Sequence, residues 1–161
     1  MSRQLSIPTH FKLVTMLYPR TTNAALTTQV ISLRGCSKAT VVFLLNNAVG
    51  FSSTPTLIQA TDIAAATNKA GPVSAIWSNL DTSSTDTLVA RTAAASYAEG
   101  TGATPSMIVF EVDASTLDVN NGYDCIYFTM GTSSQATDFV AAIAILHTSY
   151  QQATPPSQIL D

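Results

Sequence analysis

The sequence predicts an all-β domain: an antiparallel β-sandwich of about eight strands, jelly-roll-like in its strand count, with extended N- and C-terminal arms. Three observations predict it. Thr, Val and Ile recur in short runs, and β-branched side chains pack well on a pleated surface. Turn residues punctuate these runs at intervals of about 8–15 residues, close to the spacing of all-β domains. No sustained 3.6-residue periodicity appears, although 64–66 and 93–98 are Ala-rich.

Taken in order, residues 29–33 form a short strand stopped by Gly35. Residues 39–45 (ATVVFLL) are continuously apolar, as expected of a central strand buried on both faces. Asn46, Asn47 and Gly50 then mark a turn. Residues 56–60 (TLIQA) follow Pro55 as a short strand, and 62–72 (DIAAATNKAGP) are small and polar enough to be a loop. Residues 74–78 hold the single tryptophan, Trp77, and 87–98 hold one long strand or a bent pair. The strongest strands are 106–112 (SMIVFEV), 123–130 and 139–147. Between the first two of these, Asp113 is placed to cap one helical turn ending near Leu117, and Asn121-Gly122 to supply the left-handed backbone that re-enters a strand.

The chain therefore divides into an N-terminal arm (1–28), a β-sandwich (29–149) and an extended C-terminal tail (150–161). Pro8 and Pro19 make the first segment irregular, and Pro155-Pro156 keep the last one extended. These segments read either as frayed termini or as arms that dock on a neighbour, and Leu13, Met16, Leu17 and Ile159 are apolar choices for segments left free in water.

Composition narrows the function. The chain has 161 residues, 46% hydrophobic and only 11% charged, against about 25% charged in an average domain. Such a chain is too apolar to be disordered. Its longest apolar runs, 41–45 and 139–146, fall far short of the ~18 residues of a membrane helix. A net charge of −3 argues against nucleic-acid binding. So few charges point instead to surfaces covered by partners. The N-terminus lacks the apolar stretch of about 7–15 residues of a secretory signal, so the expected site of synthesis is a cytoplasm.

The charges are also segregated. Arg3, Lys12, Arg20, Arg34 and Lys38 precede every acid, whereas residues 62–161 carry two basic residues against ten acidic ones. Pairing of the two halves within one fold accounts for this most simply; a basic arm reaching an acidic neighbour is the main alternative, and nucleic-acid binding by five scattered basic residues the least favoured.

A search for chemistry finds little. Cys36 and Cys125 sit in no metal-binding spacing and read as small buried hydrophobes on strands. His147 reads as a polar strand end, and Gly100-Thr101-Gly102 as a turn rather than a phosphate loop. Glu111 and Asp113 would share a strand face, and Asp118, Asn120, Asn121 and Asp124 could ligate a cation through a loop, but each has a simpler structural role. The expectation is a protein without catalytic residues, cofactor or metal.

Several stretches together resemble a family of small virion structural proteins of tailed bacteriophages. They are 12–17 (KLVTML) before Pro19, 31–33 (ISL), 57–62 (LIQATD), Ile76-Trp77, 86–88 (DTL), 109–113 (VFEVD), 117–125 (LDVNNGYDC) and 150–156 (YQQATPP). The resemblance spans nearly the whole chain and implies a capsid decoration (cement) protein. It would bind the major capsid protein on the outside of the head, after assembly in the bacterial cytoplasm, and associate with itself, most simply as a trimer. It implies neither nucleic-acid nor membrane binding. On this view the candidate capsid or subunit contacts lie in the arms: Arg3, Lys12, Leu13, Met16, Leu17, Arg20, Tyr150, Pro155 and Pro156. Another virion role (tail, baseplate or head–tail junction) and a carbohydrate-binding sandwich module are the alternatives.

Overall fold

A computed structural model describes residues 7–48, 52–99, 102–149 and 157–160. It is an all-β sandwich of two antiparallel sheets, with eleven strands among the described residues. They are β1 (Phe11–Thr21), β2 (Leu26–Thr27), β3 (Ile31–Ser32), β4 (Cys36–Asn46), β5 (Thr56–Ala60), β6 (Asn68–Ala70), β7 (Ser74–Asn79), β8 (Val89–Ala94), β9 (Pro105–Asp113), β10 (Cys125–Met130) and β11 (Phe139–Thr148). The larger sheet runs β1-β11-β4-β9-β7-β8. The smaller runs β2-β10-β5-β6, with β3 also paired to β10.

Eight of these strands lie where the sequence places them, and three are additional. The first of the three, β1, corrects the expected N-terminal arm: from Phe11 onward the chain is an edge strand paired with β11. Two register shifts, between Thr15 and Leu17 and between Leu17 and Arg20, break its alternation, so Met16 and Leu17 are both buried. Pro19 falls in the second shift on an edge strand, where its missing N–H costs no ladder bond. The other two, β2 and β6, are too short to show a period. β6 also corrects the reading of 62–72 as loop throughout.

The core lies between the sheets. Phe43 from β4, Phe110 from β9 and Phe128 from β10 are fully buried and meet edge-on or tilted, with ring centroids 5.0–6.1 Å apart. This trio joins the two layers. Around it pack Val41, Ile76, Ile108, Val112, Ile126, Leu57 and Leu146. Two 3-10 turns, Ala114–Thr116 and Val119–Asn121, bridge β9 and β10. The turn after Asp113 is where the sequence puts it, but the Asp113 side chain makes no cap bond. Gly122 takes the left-handed conformation at φ 82°. Cys36 and Cys125 are buried at the starts of β4 and β10, and burial pushes the Cys36 thiol up against the pull of Lys12.

The C-terminal segment folds back on the sandwich. Ser32 N–H donates to the Gln158 carbonyl at 2.8 Å, and Ile159 packs against the core. Residues 157–160 are therefore docked on their own chain.

Candidate functional site

Among the described residues, the outer face of the six-stranded sheet carries exposed apolar side chains. Alternation along each strand turns every second residue away from the core, and the register aligns these residues into rows. One row runs Thr15, Ile143, Val42, Val109, Trp77 and Ala90 across all six strands. A second runs Leu13, Ile145, Thr40, Glu111 and Ala75. A third joins Ala141, Leu44 and Met107. Leu13 (53%), Leu44 (49%), Ile143 (42%) and Trp77 (39%) are substantially exposed.

Strand spacing of about 4.8 Å and rows about 6.8 Å apart give this face a footprint of roughly 24 Å by 14–20 Å, on the order of 400 Å², in which Thr15, Thr40 and Glu111 sit among the apolar residues. Patches of that size often mark contact sites. It could form the apolar centre of a standard interface of about 800 Å² per partner, with a polar rim supplying the rest. Polar groups do border it: Lys38 pairs with Glu111 at 3.4 Å, and His147 Nε2 lies 3.1 Å from Thr40 Oγ1 under the edge of Phe11.

Residues 39–45 were expected to be buried on both faces. In the chain alone only one face is: Val41, Phe43 and Leu45 are buried, while Val42 is half-buried and Leu44 is exposed. β11 repeats this, with Ala142, Ala144 and Leu146 inside and Ile143 outside. Apolar residues on both faces of antiparallel strands were the signal for this surface.

The predicted contact residues do not form one surface. Met16 and Leu17 belong to the chain's own core, so they are withdrawn as contact residues. Leu13 lies on the apolar face and Arg20 is exposed at the far end of β1. Lys12, Leu13, Tyr18, Gln29 and the docked Gln158 and Ile159 border a groove of about 270 Å³ along the β1 edge. Arg3, Tyr150, Pro155 and Pro156 lie outside the described residues.

Among the described residues, two of the five segregated basic residues, Arg34 and Lys38, form salt bridges to acids of the other half, and a third salt bridge, Lys69 to Asp118, lies within the acidic half. Arg34 binds Asp124 at 2.9 Å, Lys38 binds Glu111, and Lys69 binds Asp118 while lying over the Tyr123 ring. The Lys69 ammonium and the Asn121 amide together hold the Asp118 carboxyl below its usual range. These partners occupy the carboxylates of the loop that might have held a cation.

Two other features complete the surface. The loop 79–88 and Met107 border an open depression of about 580 Å³, lined by Thr82, Ser83, Ser84 and Thr85. Ser83 and Ser84 hold Asp81 there below the usual carboxylate range. At one end of the sandwich lies a buried polar cluster: Thr22, Asn47, Ser53, Glu99, Ser133 and Asp138, none more than 4% exposed. Sequence reading missed this cluster because its members are scattered between residues 22 and 138.

In comparisons with known proteins, no family model, curated protein or solved structure matches this chain.

Proposed function

We propose that this chain is a non-enzymatic decoration (cement) protein of a tailed bacteriophage. It binds the outside of the major capsid lattice, as a homo-oligomer taken here to be a trimer, and stabilises the head. The observation that supports it is the outer face of the six-stranded sheet, where Leu13, Leu44, Trp77 and Ile143 form an exposed apolar surface on a rigid sandwich. The resemblance to phage virion proteins supplies the partner class. Attachment buries this face, and a ligand that binds only the assembled shell shifts the equilibrium towards it.

Heads purified without the protein provide the test. Added protein is expected to co-sediment with them up to a copy number set by the lattice and to raise their thermal disruption temperature. A stoichiometry set by a single vertex would indicate a junction component instead. No binding to heads, with binding on a glycan array, would favour the carbohydrate-binding alternative.

A further inference from the structure

We propose that the buried polar end of the sandwich is a binding site for a hard divalent cation of the calcium class, held between Asp138 and Glu99. Both carboxylates grip the same dipeptide. Glu99 Oε2 accepts from the Asn47 side-chain amide, and Asp138 Oδ1 accepts from the Ala48 backbone N–H. Asp138 is fully buried and Glu99 is 4% exposed. Asp138 Oδ2 is buried with no hydrogen-bond partner, although a buried polar atom is ordinarily satisfied. Among the described residues, neither carboxylate takes part in an ion pair.

Two buried carboxylates at one end of the sandwich, with no salt bridge among the described residues, demand compensation, because an uncompensated buried charge is costly. A divalent cation supplies it with matching charge. The surrounding donors are oxygens: Ser53 donates to Asn47 Oδ1 at 3.2 Å, which leaves that oxygen's second lone pair and the Ser53 oxygen on hand. An all-oxygen set with two carboxylates selects calcium or magnesium over zinc or copper. The burial that raises the Glu99 pKa to about 7, with Asp138 adding to the rise, is the same penalty from another side.

The site draws together β11, the end of β4 and the segment before β9, so an ion there would tie one end of the sandwich. The proposal is independent of the capsid function. Its test uses the full chain, stripped with chelator and dialysed at pH 7.5. Calcium at 100-fold excess over Kd should raise Tm by roughly 5–10 °C. Calorimetric titration should show about one site per chain, as the two-carboxylate geometry requires. Asp138→Asn and Glu99→Gln should each cut affinity at least about tenfold. Wild-type protein that binds neither calcium nor magnesium by calorimetry would overturn the site. So would a calcium shift kept in full by both variants. Because the first of these needs only the wild type, misfolding of a variant does not shield the proposal.

Discussion

The outer faces of the two sheets are both apolar, but only one is covered by the chain itself. On the small sheet, Ala60, Cys125 and Tyr127 face outward and are buried, with Val30, Ile58, Ile63 and Ala65 packed against them. The segment after β5 supplies Ile63 and Ala65, then returns as β6 to pair with β5. On the large sheet the corresponding residues, Leu44, Ile143 and Trp77, have no such cover among the described residues. The same strand chemistry thus has two outcomes. One face adds to the fold's stability, and the other stays exposed among the described residues.

Changes to the interior set the scale for this contrast. Phe128→Ala removes one ring of the inter-sheet trio and should cost about 3–5 kcal/mol in denaturant unfolding. A shift of under 1 kcal/mol would mean that the sheets are not held together as described. The cover of the small sheet is tested next by Gly71→Ala. A Cβ there would lie 2.4 Å from Leu57 Cγ and 2.8 Å from its carbonyl oxygen, so β6 must move away from β5. The expected loss is about 2–3 kcal/mol, with faster amide exchange at residues 58–60.

The buried end responds to pH. The Glu99 carboxyl titrates near 4.5 when unfolded and about 7 when folded, because burial disfavours its charge. Between these values the folded chain keeps a proton that the unfolded chain has lost, so stability falls as pH rises from about 4.5 to about 7. In chelator the loss should be about 3 kcal/mol, and Glu99→Gln should remove this slope. An unchanged slope in that variant would assign it to other groups.

The smallest effects compare the two outer faces directly. Ile63→Ala, on the covered face, should cost about 1–2 kcal/mol. Leu44→Ala, on the bare face, should cost less than about 0.5 kcal/mol. Equal losses would erase the distinction between the covered face and the bare one.

Much of the fold was legible because burial in a sandwich leaves apolar runs between turns, as in 39–45, 106–112 and 139–147. β1 was not, because its bulges put Met16 and Leu17 side by side in the core and Pro19 imitates a break. Strands of two or three residues, such as β2 and β6, carry no period to read. For the site, the sequence held the right residues under the wrong heading. Leu44 and Ile143 sit in apolar runs that look doubly buried, and only the register shows that one side is open. The Glu99–Asp138 cluster depends on long-range pairing of strand ends, which local sequence does not encode.

Binding of the Leu44→Asn/Ile143→Asn variant to heads lacking the protein tests the central claim most directly. The variant should keep the wild-type circular dichroism and unfolding midpoint while its co-sedimentation with heads falls at least about tenfold, since both changes lie at the centre of the apolar face. A folded variant that saturates heads at the wild-type concentration would contradict the assignment of this face as the surface that binds.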